Sequence, residues 1–242
     1  MVRVVALLSL LGCGSVNAGG PPDAAADAAP QLAGLVAWYR MDALANRVVS
    51  DVTGHHDGTC GAGACPLVNS EGRIGGAYVF DGKDELIRVP SVAELETTTA
   101  FTVTAWINRA PGSADACIVN KSVGSNGNNS WQLCLRAADG APAFFSAATT
   151  GADALTSEMT LETARWYHVA LWWNGMTKAI YVDGARLVFK DVAAISFDDS
   201  DITIGSDVDA GMLVDPFNGL VDDVRIYNRA LSANELMALT SP

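Results

Sequence analysis

Trp166-Tyr-His-Val-Ala-Leu-Trp-Trp-Asn-Gly-Met-Thr-Lys-Ala-Ile-Tyr-Val-Asp-Gly-Ala-Arg-Leu-Val-Phe-Lys190 decides the fold. Two strand-like runs meet at Asn174-Gly175, and a third follows Asp183-Gly184. Both dipeptides tolerate the positive φ angles of a two-residue type I′ turn. Such turns set Trp173 opposite Met176, Val169 opposite Ile180 and His168 opposite Tyr181. In the next pair Tyr181 meets Arg186 and Ile180 meets Leu187. Period-two alternation then sorts the side chains. Tyr167, Val169, Leu171, Trp173, Met176, Ile180, Val182, Leu187 and Phe189 form a core face. His168, Ala170, Trp172, Thr177, Ala179, Tyr181, Arg186, Val188 and Lys190 form a mixed face that meets solvent or a ligand. Lys178 falls on the core face, which predicts a position near a sheet margin with its amine snorkelling outward.

The rest of the chain reads as more short strands separated by turn residues. They are Gly34 to Asp42, Ala77 to Phe80, Leu86 to Val89, Phe101 to Asn108, Ala143 to Ser146, Asp201 to Ile204 and Phe217 to Tyr227. Phe101, Val103, Ala105 and Ile107 alternate onto one face. Two helical pieces are expected. Val92 to Leu95 forms one turn after Pro90. Ser232-Ala-Asn-Glu235 is a capping-box pattern that opens a helix over Ala233 to Leu239. The pattern predicts an antiparallel all-β sandwich.

The 242 residues carry a net charge of −12, with half of them hydrophobic. An acidic surface repels nucleic acid and anionic membrane surfaces, so no nucleic-acid partner is expected. Met1 to Ser15 has Arg3 as a positive n-region and Val4 to Leu11 as a short apolar run, too short to span a bilayer. Leu10-Leu11-Gly12-Cys13 resembles a bacterial lipobox, which makes Cys13 the lipidation site and the membrane contact a lipid anchor only. The alternative is a secretory signal cut near Ala18. Both readings predict export. Gly14 after Cys13 points to the outer membrane. Residues 14 to 33, rich in Ala, Gly, Pro and Asp, read as a flexible linker before a domain over 34–242.

Four further cysteines remain: Cys60, Cys65, Cys117 and Cys134. An even count in an exported chain suggests two disulfides. Three connectivities are open, and Cys60–Cys65 with Cys117–Cys134 is favoured. The first closes a tight Gly-Ala-Gly-Ala loop. The second ties neighbouring strands, because a symmetric hairpin around Ser122 to Asn129 sets Cys117 opposite Cys134. The cysteine spacing matches no zinc ribbon or finger.

Six segments occur together and in order: GLVAWYRMD, the GHHDGT loop, GRIGGAYVFDG, FTVTAWI, the WYHVALWWNG…IYVDG meander and NGLVDDVRIYNRALSANEL. The set resembles the laminin G-like, concanavalin A-like lectin/glucanase superfamily from about Gly34 to Leu239. That resemblance implies a jelly-roll sandwich of two curved antiparallel sheets. It does not fix one function. Laminarinase-like hydrolases of this fold place two carboxylates on one strand face, as in Glu-x-Asp-x-x-Glu. No such pattern is present. Glu94 and Glu96 fall in the helical turn after Pro90, and His168 lacks a neighbouring nucleophile elbow.

The resemblance also implies a structural Ca²⁺ where the first and last strands meet. Asp42, Asp51 and Asp222 are its expected ligands, with loop carbonyls near His56 to Gly58; the alternative is ordinary turn chemistry and pairing with Arg225 or Arg229. A second candidate site is the row His168, Tyr181 and Arg186, with Trp172 nearby, as a glycan platform. A third is the loop rim of Asp81, Asp84, Asp115 and Asn126 to Asn129. Trp38, Trp106 and Trp166 read as core. The sequence therefore predicts a lipid-anchored, non-catalytic envelope module that binds a glycan or a protein. The rival readings are a glycan-cleaving hydrolase and an adhesive surface domain without a small ligand.

Overall fold

Short β-branched and aromatic runs, each ended by a turn, leave the chain no way to bury its apolar faces except by stacking sheets. The computed structural model describes residues 33–242 apart from 92, 94–98, 113–114, 122–129, 149–150, 193 and 242. Cys13, the linker over 14 to 32, all of the Val92–Leu95 turn but Ala93, and the Asn126–Asn129 rim lie outside the described residues.

The strands in chain order are β1 (Leu35–Tyr39), β2 (Val48–Val49), β3 (Gly58–Cys60), β4 (Leu67–Ile74), β5 (Gly76–Asp81) and β6 (Ile87–Val89). They continue as β7 (Phe101–Arg109), β8 (Ala116–Lys121), β9 (Trp131–Leu135), β10 (Pro142–Ala148), β11 (Gly151–Thr156) and β12 (Trp166–Trp173). The last are β13 (Thr177–Val182), β14 (Ala185–Asp191), β15 (Ile202–Ile204), β16 (Asp207–Asp209), β17 (Met212–Val214) and β18 (Asn218–Tyr227), followed by helix α1 (Ala233–Ala238).

One eight-stranded sheet runs β14-β13-β12-β7-β18-β5-β4, with β1 also paired to β18. The other runs β11-β10-β9-β8-β15-β6-β3-β2, and β16–β17 is a separate hairpin. All strand pairs within the two large sheets are antiparallel. Val103, Ala105, Ile107, Val169, Leu171 and Ile180 from the first sheet pack on Val119, Leu133, Phe144, Ile202 and Ile204 from the second. Both expected disulfides form, Cys60–Cys65 and Cys117–Cys134, the latter across the directly opposed pair of β8 and β9.

The opening meander forms with two register corrections. Asn174 does not make a two-residue turn. Its side-chain oxygen accepts the Met176 and Thr177 N–H groups at 3.0 and 2.8 Å, and Trp173 pairs with Lys178. The slip is two residues, so β13 keeps its faces, but Ala170 rather than His168 meets Tyr181. Asp183 and Gly184 both take positive φ, and Tyr181 meets Arg186 as expected. A bulge between Ile180 and Tyr181 then sets Val188 opposite Ile180. One inserted residue reverses the faces of β14. Leu187 and Phe189 are therefore exposed, Val188 packs on the core, and Met176 is exposed at the turn.

Lys178 does not snorkel. It is fully buried between the sheets. Its Nζ donates to Phe144 O at 3.3 Å, Ser146 Oγ at 3.0 Å and Asp153 O at 2.9 Å, and ion-pairs with the Asp153 carboxylate.

Helix α1 carries the expected capping box, Ser232 with Glu235, and Arg229 forks onto the same Glu235. Its Leu236, with Leu231 and Leu239, covers Ala170, Ala179, Tyr181 and Tyr227 on the outer face of the first sheet. That face is thus a second, smaller core over part of its area.

Candidate functional site

The outer face of the first sheet is polar where α1 does not reach. His168 on β12, Trp106 on β7 and Asp222 on β18 stand in one cross-strand row. They are 1 %, 3 % and 0 % exposed. The Trp106 and His168 rings meet edge-on at 5.3 Å between centroids. A bulge after Asp222 turns Asp223 onto the same face with φ of 48°. Asp223 accepts the Trp38 indole N–H at 2.5 Å and pairs with Arg225, whose guanidinium lies 4.3 Å from the Trp38 ring centre. Trp38 and Trp106 are buried as expected, but on this outer face and not between the sheets.

Two groups in the row have displaced ionisation. Burial pushes the Asp222 carboxyl up to about 7, partly opposed by hydrogen bonds from the Ile74 and Arg73 N–H groups. Burial, then the nearby Arg225 charge, pulls His168 down to about 3. The two act on stability with opposite sign. A carboxyl that stays protonated in the fold loses stabilisation as pH rises from about 4 to about 7, because only the unfolded chain releases its proton there. A histidine held neutral in the fold gains stabilisation as pH rises from about 3 to about 6.5. Asp222→Asn keeps the acceptor for Arg73 and Ile74 and removes the first effect. Its stability relative to wild type should grow between pH 4 and pH 7, reaching on the order of 2 kcal/mol. Urea unfolding at several pH values checks this; a difference independent of pH would contradict it.

Above this row lies an open hollow of about 290 Å³ lined by Arg73, Trp106, Trp166, Asp183 and Thr240. Trp166 opens β12 and is half-buried. Asp183 sits in the β13–β14 turn, where its Oδ1 accepts the His168 N–H at 2.9 Å. Arg73 lies near the end of edge strand β4, its guanidinium 4.6 Å from the Trp106 ring centre. An indole beside a guanidinium and a carboxylate can stack on an apolar ring face while exchanging hydrogen bonds with polar substituents.

A smaller cleft of about 190 Å³ lies at one end of the sandwich, floored by Leu135, Pro216 and Phe217 and flanked by Arg109, Arg136 and Asn218. Its arginines are already engaged. Arg109 Nε donates to Leu161 O at 2.5 Å, and Arg136 pairs with Asp139.

The expected calcium ligands do not form one cluster. Asp42 Oδ1 accepts the Gly76 N–H at 2.6 Å, and Asp222 Oδ2 accepts those of Arg73 and Ile74 at 2.8 Å each. Together they clamp the β4–β5 turn. Asp51 orders a different loop, accepting from Trp38 at 2.8 Å, His56 at 3.1 Å and His55 at 3.2 Å. Hydrogen bonds to the ionised form outweigh burial and hold its carboxyl below the usual range. Two carboxylates spent on the N–H groups of one turn and a third spent on those of a separate loop do not fit a shell of six to eight oxygens. Among the described residues, the three carboxylates that do converge are Asp81, Asp84 and Glu85, on a surface loop where Lys83 pairs with Asp81. Asp115, the other rim residue, is held by the Ala137 N–H at 2.6 Å.

The row His168–Tyr181–Arg186 does not make a platform. His168 is buried beside Trp106, and Tyr181 is 8 % exposed beneath α1. Arg186 is exposed and lies 4.6 Å from the Phe189 ring centre. Tyr181 still lies opposite Arg186, but the hydrophobic residues after the last strand cover it.

A laminin G-type model of the concanavalin A-like lectin/glucanases superfamily matches residues 81–237. The chain belongs to the concanavalin A-like lectin/glucanase superfamily. Among solved structures, this concanavalin A-like domain is similar to the binding domain of Paraclostridial Mosquitocidal Protein 1, with a TM-score of 0.67 at 16% identity over 86% of this chain and 52% of that one. It is similar to domain 4 of AbnA, a GH43 extracellular arabinanase from Geobacillus stearothermophilus, in complex with arabinotriose: TM-score 0.63, 21% identity, 86% of this chain and 98% of that one. It is also similar to the ligand-binding domain of botulinum neurotoxin serotype D in complex with N-acetylneuraminic acid: TM-score 0.65, 15% identity, 86% and 50%. The chain thus spans about half of both toxin chains. At these identities the likeness is one of fold. Comparison with curated proteins finds no match.

Trp166, a core residue by its sequence pattern, is half-buried at the hollow, and Asp183, a turn residue by its sequence, lines it as well. Arg73 was missed because Leu67 to Ile74 carries no alternation, being an exposed edge strand with an irregular register. In this concanavalin A-like domain the hollow is assembled from an edge strand, two central strands, a turn and the C-terminal segment. No single stretch contains its signal.

Proposed function

We propose that the domain is a non-catalytic glycan-binding module, exported and held at the bacterial envelope by a lipid on Cys13. The observation that carries the binding reading is the half-buried Trp166 beside Arg73 and Asp183 in one open hollow. An exposed indole stacks on sugar C–H faces, and the flanking charged groups select hydroxyl arrangements. The relatives in complex with arabinotriose and N-acetylneuraminic acid support the same reading.

Glycan-array screening followed by titration calorimetry tests this. Trp166→Ala should weaken the best array ligand about tenfold, or roughly 1.4 kcal/mol, with the melting temperature little changed because the side chain is half-exposed. Unchanged affinity would remove the hollow as the site. Release of reducing ends from the bound polysaccharide would favour the hydrolase reading. Metabolic labelling with a lipid precursor, lost in Cys13→Ser, tests the anchor.

A further inference from the structure

The hollow holds a cation with no partner of its own. Of the other guanidiniums on this face, Arg225 pairs with Asp223 and Arg229 with Glu235, while Arg186 stacks on the exposed Phe189 ring. Arg73 stands over a buried ring instead. Among the described residues its guanidinium makes no hydrogen bond or ion pair, and it is held by stacking on Trp106. The base of the side chain is fixed too, because the Arg73 N–H is bonded to buried Asp222 at 2.8 Å. Trp106 is itself 3 % exposed, so the surface beneath the guanidinium is a rigid one. In a chain of net charge −12, a positive group left unpaired yet held in place is a pre-organised receptor for a negative one.

The remaining wall gives the rest of the ligand. Asp183 lines the hollow without pairing to Arg73, and one of its oxygens is engaged by the His168 N–H. Its other oxygen can accept from a hydroxyl. Trp166 offers a ring face, and the Thr240 hydroxyl, already donating to Met237 O at 2.7 Å, can accept. A planar carboxylate matches the guanidinium fork with two parallel hydrogen bonds.

We propose that the hollow is selective for saccharides that carry a carboxylate, with Arg73 as the specificity-determining residue, Asp183 binding a ring hydroxyl and Trp166 stacking on the ring. This rests on the glycan-binding reading above and narrows its ligand class.

The experiment uses the full exported chain and a panel of oligouronates, each paired with its carboxyl-reduced neutral counterpart, plus sulfated oligosaccharides. The bound uronate should exceed its neutral partner at least tenfold in affinity, and the ratio should shrink with added salt. Arg73→Gln should bring the ratio close to one, and Arg73→Lys should restore part of it. Trp166→Ala should weaken both forms alike. Equal binding of the charged and neutral forms, or a preference for sulfated over carboxylated sugars, overturns the proposal and leaves the glycan reading standing. A panel and array on which nothing binds overturns both.

Discussion

Phe101→Ala should destabilise the domain by about 4 kcal/mol, with the urea midpoint shifted and the m-value unchanged. Phe101 is 1 % exposed and opens β7 at the centre of an aromatic cluster. Its ring lies 5.8 Å from Trp173 in its own sheet. It lies 5.6 Å from Trp131 and 6.0 Å from Phe144 in the opposite sheet, and 6.1 Å from Phe197. Removing it opens a cavity walled by four rings, and the three on strands, Trp131, Phe144 and Trp173, cannot collapse inward without leaving their strand positions. A loss below about 1.5 kcal/mol would mean that the cluster repacks and that the two sheets are held mainly elsewhere.

Asp153→Ala should cost about 3 kcal/mol, whereas Lys178→Met should be close to neutral. Lys178 is a fully buried cation, and Asp153 is the carboxylate that compensates it. Taking away the carboxylate leaves the charge inside with only neutral acceptors. Replacing the lysine with an apolar side chain of similar length removes the charge altogether. Burial acts against ionisation of Asp153, but hydrogen bonds from Lys178 and Lys190 outweigh it, so the carboxyl is held below its usual value. Its contribution is therefore present above the ordinary carboxylate pKa and lost as pH falls through the depressed one. Burial likewise pulls Lys178 down. The penalty in Asp153→Ala should shrink at high pH, where the stranded amine releases its proton. Thermal unfolding of the two variants between pH 6 and pH 10 checks the pair. Equal losses would show that Lys178 is held by its neutral acceptors and not by the ion pair.

Most of the strand framework was legible in sequence because alternation and turn residues are local signals. Phe101 to Ile107 and Tyr167 to Trp173 bury the residues that period two selects. The Cys117–Cys134 pairing followed from hairpin symmetry. The misreadings occurred where a single residue changed the count. Asn174 capped a longer turn with its side chain, and the bulge opposite Ile180 reversed Leu187, Val188 and Phe189. The Leu67–Ile74 edge strand and the β16–β17 hairpin lacked enough alternation to be seen. The site was less legible still. Asp42, Asp51 and Asp222 are near one another in an expected topology, yet Asp42 and Asp222 are turned to N–H groups of the β4–β5 turn and Asp51 to those around its own loop.

The sequence by itself determined the layered β architecture and the helix cap and favoured the disulfide pairing that forms, since these signals lie in residues close in the chain or in one hairpin. Only the tertiary structure decided which part of the polar sheet face is covered and which is open. Leu231, Leu236 and Leu239 bury Tyr181 and the middle of the face. They leave Trp166, Asp183 and Arg73 around a hollow. That choice depends on where the C-terminal segment finds apolar surface to cover, a free-energy balance over residues far apart in the chain.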